Sequence, residues 1–234
     1  MRFLNDTPLQ SRSPVRDDVA YILPMVTFLA FTQIGVWWPG LYAATYIAKT
    51  IVVAAMLYVL RGAYTKISWS YWWLGAIVGV IGVAQWVGMQ LWLQQHVEFF
   101  RPDPASPPFD PTHAFASAGA SYAFIGLRWI AGASLVVPVM EELFWRDFLW
   151  RQTIAPSNFK LAKIGEWSAA AFFSVAGVFA VVHGNWWLTS IVWALLIGGL
   201  LAYTRSLGAC IVAHAVTNLL LGAYVLWSRD WGFW

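Results

Sequence analysis

Apolar stretches of about 20 residues recur along most of this chain, and each is long enough to cross a hydrocarbon core of roughly 30 Å. Nothing else in the sequence restricts the fold as strongly. Of the 234 residues, 60% are hydrophobic and only 11% are charged. A soluble domain carries roughly a quarter charged residues, so this balance suits lipid. The expected fold is all-α, a polytopic transmembrane helical bundle of about seven to eight spans, forming one domain over residues 1–234.

Spans are placed near residues 19–38, 41–60, 71–93, 121–150, 167–183, 187–204 and 207–227. Between the third and fourth lies a loop, 96–120, broken by Pro102, Pro104, Pro107 and Pro108, with room for a further peripheral helix. With the N-terminus cytoplasmic, Arg2, Arg12, Arg16, Arg61, Lys66, Arg151, Lys160, Lys163 and Arg205 collect on the cytoplasmic side. Arg101 and Arg229 are left opposite, as the positive-inside bias requires. The charged stretch Met1 to Asp18 lacks a small-residue cleavage site and reads as the start of a retained first span.

A formal net charge of +3 divided among loops, without one basic run, argues against nucleic acid as a partner. Membrane lipid is the expected surrounding. Trp37, Trp38, Trp69, Trp72, Trp73, Trp186, Trp187 and Trp227 fall near span ends, where indole rings anchor at headgroups. Gly75, Gly79 and Gly82 share a helical face and permit close helix approach. The single Cys210 excludes an intrachain disulfide and reads as a small packing residue. Lys49 and Arg128 lie near enough to span ends to snorkel toward the headgroups.

The informative region is Pro138-Val139-Met140-Glu141-Glu142-Leu143-Phe144-Trp145-Arg146, where two adjacent acids follow an apolar run. An acidic residue at a span centre costs near 3 kcal/mol on insertion scales, so such a pair needs a partner or a wet cavity. Glu142 and Arg146 are four apart and can pair along one face. Glu141 points about 100° away and is left free to act as a base. Pro138 can bend the helix and free a carbonyl. A purely structural alternative makes Glu142 and Arg146 an interhelix clamp, with Glu141 solvated beside Asp147.

Two further motifs join it. Phe179-Ala180-Val181-Val182-His183 closes the fifth span, and His214-Ala215-Val216-Thr217-Asn218 sets His and Asn on one face of the seventh. Glu141 and His183 can hold and deprotonate a water, while His214 and Asn218 donate to the oxyanion formed on a peptide carbonyl. Neither a cofactor nor a metal is required. Glu141, His183 and His214 could instead supply three zinc ligands, but no His-Glu-x-x-His pair is present. His96 and His113 sit in the external loop and read as surface residues.

Glu141-Glu142-x-x-x-Arg146, Phe179-x-x-x-His183 and His214-x-x-x-Asn218 together resemble the three motifs of the CAAX protease and bacteriocin-processing family. This is a family of glutamic intramembrane endopeptidases related to the type II CAAX prenyl endopeptidases. The resemblance spans residues 120–222 and implies a helical bundle with an intramembrane catalytic cavity. It implies a water activated at Glu141 and His183, an oxyanion site at His214 and Asn218, and support from Glu142 and Arg146. The implied substrate is a membrane-tethered protein or peptide, of prenylated CAAX type or another, and the implied location a bacterial inner membrane. Two alternatives stand beside it: a non-catalytic family member acting as a binding or immunity protein, and a small transporter using Lys49, Glu141 and Arg128. One geometric demand follows, since Glu141 lies about 15 Å from the cytoplasmic end of its helix and His183 about 24 Å along its own. A tilt or a re-entrant start near Asn158 to Glu166 is needed to bring them level.

Overall fold

The computed structural model describes residues 14–234, with side chains from Asp17 onward. Arg2, Arg12 and Arg16, invoked above for orientation, lie outside the described backbone or side chains. The described residues form helices and loops: α1 (Pro14–Trp37), α2 (Tyr42–Val59), α3 (Trp72–His96), α4 (Ala118–Ile154), α5 (Ala169–Val181), α6 (Trp187–Thr204) and α7 (Leu207–Ser228). Six of these helices are long and apolar enough to cross a membrane, and α5, at 13 residues, is not. The expectation of a full span over 167–183 is therefore corrected. The loop between α3 and α4 holds only a short turn of helix, Glu98–Phe100.

The boundaries follow local chemistry. Ser117, Ser168 and Ser206 cap α4, α5 and α7, each side-chain oxygen accepting from the backbone N–H three residues on. Arg205 ends α6 in the left-handed region (φ 51°), so a two-residue turn reverses the chain into α7.

Packing centres on α3 against α7. A Cβ at Gly75 would collide with the Ala209 carbonyl, and one at Gly79 would sit 2.6 Å from the Ala213 carbonyl oxygen. Glycine lets the two backbones touch there. Trp145, Trp150 and Trp193 are buried in the core, and Trp186 stacks on Trp86 with centroids 6.0 Å apart, so Trp186 serves packing and not the headgroup belt. The remaining proposed anchors, Trp37, Trp38, Trp69, Trp72, Trp73, Trp187 and Trp227, are exposed.

Helix α4 is not a uniform α-helix. Leu127–Val136 and Leu143–Leu149 are π-helical, flanking the α-helical turn Val137–Glu142 that carries both acids. In the first π segment the backbone N–H of Val137 donates to Gly132, five residues back. Pro138 has no N–H to continue that register to Ala133, so the Ala133 carbonyl is released from the helix ladder.

The segment between α4 and α5 folds back against the bundle. Nε of Arg151 donates to the Ala162 carbonyl at 2.8 Å, and Nε1 of Trp150 to that of Glu166 at 2.9 Å. Arg151 also pairs with buried Asp147, whose other carboxylate oxygen accepts from the Tyr21 hydroxyl at 3.0 Å. This clamp fixes where α5 begins.

Candidate active site

A cavity of about 130 Å³ is lined by Glu141, His183, His214 and Asn218 together with aromatic side chains from α3, α5 and α6. The four polar residues come from three separate stretches of chain: Glu141 from the α-helical turn of α4, His183 from the residues following α5, and His214 and Asn218 from α7. The shortness of α5 supplies the levelling that the sequence demanded. Thirteen residues rise only about 20 Å, so the helix stops short of a bilayer crossing and delivers His183 to the cavity.

The two neighbouring acids have different surroundings. Glu142 is fully buried, and its Oε1 accepts from Nη1 of Arg146 at 3.2 Å and from Nδ1 of His214 at 2.9 Å. The pairing with Arg146 follows the helical spacing read from the sequence; the contact with His214, 72 residues away, does not. Glu141 makes no ion pair among the described residues, and its Oε2 is buried without a hydrogen-bond partner while the residue lines the cavity. Solvation of Glu141 beside Asp147 is not what occurs, because Asp147 is buried in the Arg151 clamp and Glu141 is 8% exposed.

Each histidine has one ring nitrogen committed. Nδ1 of His183 lies 2.7 Å from the Phe179 carbonyl, an acceptor, so that nitrogen carries the proton and Nε2 is left as an acceptor. This contact uses the Phe179-x-x-x-His183 spacing itself. Nδ1 of His214 is engaged by Glu142, leaving Nε2 for the cavity. Asn218 donates one Nδ2 hydrogen at 2.8 Å to the Ala133 carbonyl, the oxygen that Pro138 released, and retains a second. The proline effect expected from the sequence thus has a recipient.

Aromatic rings close the site. Phe179 stacks on Trp193 at a centroid distance of 5.4 Å, and the Arg146 guanidinium lies over both rings, at 5.1 and 5.4 Å. Trp193 also meets the His214 ring edge-on at 4.7 Å. Trp86 and Trp193 carry no sequence signal that separates them from the other 15 tryptophans of this chain's 17; only the fold assigns them here. Trp145 and Phe148 are buried in the core and do not face lipid.

Lys49 and Arg128, expected to snorkel, are only 6% and 7% exposed. Among the described residues, no group of three His, Cys, Asp or Glu side chains is arranged to hold a metal ion. Cys210 is buried in the core, 3.8 Å from the Ile197 carbonyl, away from the cavity lining.

The family model described as type II CAAX prenyl endopeptidase Rce1-like matches residues 123–220, an interval that contains every polar residue of this cavity. No curated protein and no solved structure matches the chain.

Proposed function

From the match of residues 123–220 to the type II CAAX prenyl endopeptidase family model, we propose that this chain is a member of the CAAX protease family and a glutamic intramembrane endopeptidase using a metal-free water. The observation that carries the reading is the meeting of Glu141, His183, His214 and Asn218 on one cavity.

Their protonation patterns are complementary. Glu141 Oε2 and His183 Nε2 are both acceptors, so a water between them offers each a hydrogen and turns a lone pair toward the substrate carbonyl. Glu141 takes the proton as the oxygen–carbon bond forms, and the proton later passes to the leaving amine. The developing oxyanion meets donors opposite: the second Nδ2 hydrogen of Asn218 and Nε2 of His214. With Nδ1 committed to Glu142, His214 donates from Nε2 as an imidazolium, and the buried Glu142 carboxylate supplies its counter-charge. Arg146 holds that carboxylate in place. The substrate is a membrane-tethered protein or peptide, and the chain resides in a bacterial inner membrane with its N-terminus cytoplasmic.

The test is purification in detergent with a panel of prenylated and unprenylated reporter peptides. Cleavage by the parent, lost in Glu141→Gln and His214→Ala, is expected; undiminished cleavage in either variant removes the mechanism. Parent activity should survive a strong chelator, and its loss would favour a zinc site on Glu141, His183 and His214. Binding of peptide without cleavage by the parent would point to a non-catalytic binding or immunity role.

A further inference from the structure

A second cavity, of about 220 Å³, lies beside the first and is lined by Lys49 and Arg128. Both cations are more than nine-tenths buried, and neither forms a salt bridge among the described residues. Their visible partners are neutral. Nζ of Lys49 donates to the Thr32 hydroxyl at 3.0 Å and lies 4.2 and 4.3 Å from the ring centres of Phe28 and Tyr46. Arg128 donates from Nε to the Tyr42 hydroxyl at 3.1 Å and lies over the Tyr46 and Trp234 rings at 4.9 and 4.5 Å.

Ring faces offset part of the desolvation cost of a buried cation but accept no strong hydrogen bond, so most N–H groups of these two side chains are without an anionic acceptor. No side chain lining this chamber is acidic, and Glu141 lines the other cavity. The planar fork of Arg128 beside the Lys49 ammonium suits the oxygens of a phosphate.

The level of the chamber points to the source of that phosphate. Thr32, which meets Lys49, stands five residues before the exposed Trp37 at the end of α1, about 8 Å along the helix. Tyr42, which meets Arg128, is the first residue of α2. Exposed tryptophans at helix ends mark the headgroup layer, so both cations lie within about two helical turns of it.

We propose that the Lys49–Arg128 chamber binds the phosphodiester of an anionic phospholipid, drawn in from the headgroup layer at the Trp37 end of the bundle. An anionic lipid is favoured over a zwitterionic one because two positive charges in the chamber repel a choline or ethanolamine ammonium. The inference does not depend on the endopeptidase reading, and its test needs no catalysis.

The full chain, purified in neutral detergent, is titrated with short-chain phosphatidylglycerol while its thermal melting is followed, for the parent, Lys49→Met and Arg128→Met. Melting of the parent should rise with this lipid and rise less with phosphatidylcholine of the same chain length. Each variant should bind phosphatidylglycerol about 10- to 100-fold more weakly, the worth of one charged hydrogen-bond partner. Equal responses of the parent to the two lipids, or parent-like affinity in either variant, overturn the assignment. Inorganic phosphate acting on the parent as strongly as phosphatidylglycerol at the same concentration would give the chamber to a soluble phosphate and overturn the lipid. A rise with an acidic peptide but not with the lipid would give it to a peptide, with the same consequence. If the variants do not fold, phosphatidylglycerol with a photoactivatable diazirine on its headgroup decides on the parent alone: crosslinks to residues lining this chamber support the site, and crosslinks elsewhere or none overturn it.

Discussion

Glu141 and Glu142 are adjacent in sequence, yet substitution should affect them in opposite ways. Glu141→Gln removes the proposed base and is expected to lower kcat by about 10²- to 10⁴-fold. Its buried Oε2 has no hydrogen-bond partner among the described residues, so thermal melting in detergent should be unchanged or raised. Glu142→Gln takes the counter-charge from buried Arg146 and from His214, and breaking such a pair costs about 3–5 kcal/mol. Melting should fall by several degrees and activity should fall with it. Equal melting shifts in the two variants would contradict the division of labour between the acids. Helical spacing alone gave the Glu142–Arg146 pair, because four residues bring side chains onto one face. It could not give the His214 contact, which depends on how α7 lies against α4.

Among the elements, α4 shows how one proline is absorbed. The Ala133 carbonyl freed before Pro138 is satisfied by Asn218, so the proline and the asparagine form one device linking α4 to α7. Asn218→Ala should destabilise by about 1–3 kcal/mol by orphaning that carbonyl. Adding Pro138→Ala to it restores a backbone N–H and should recover melting without recovering activity. Independent, additive effects in this double-mutant cycle would break the link. The packing of α3 on α7 makes a second prediction. Gly75→Ala forces a Cβ into the Ala209 backbone and should cost about 1–3 kcal/mol, whereas Gly88→Ala meets nothing within 4 Å and should be near neutral. Loss of stability at both positions alike would show that the close approach is not what requires glycine.

At the scale of the molecule, six of the described helices are long and apolar enough to cross a membrane and α5 is not, and orientation is the property to test. Cys210 is the only cysteine and is buried, so an introduced thiol can be read cleanly. Ser106→Cys, in the exposed loop between α3 and α4, should react with an impermeant maleimide added outside intact cells. Ser157→Cys, exposed between α4 and α5, should react only after permeabilisation. The reverse pattern would invert the assigned topology and place the cavity's access on the other face.

Apolar run length was legible without coordinates, since an extended stretch of lipid-soluble side chains has few structural options besides a helix. The three motif spacings were legible too, because i, i+4 neighbours meet on any helix: Glu142 with Arg146, the Phe179 carbonyl with His183, and His214 with Asn218 on a common face. The length of α5 was not legible. Its apolar composition matched a full span, and the Arg151 and Trp150 hydrogen bonds to the preceding segment act with the Ser168 cap to set its start. Nor could composition show that Lys49 and Arg128 are buried instead of snorkelling, or which tryptophans line the cavity. Local chemistry determined the helices and the polar inventory; contacts between residues distant in sequence decided which groups face each other, because close packing in three dimensions has no image in one-dimensional spacing.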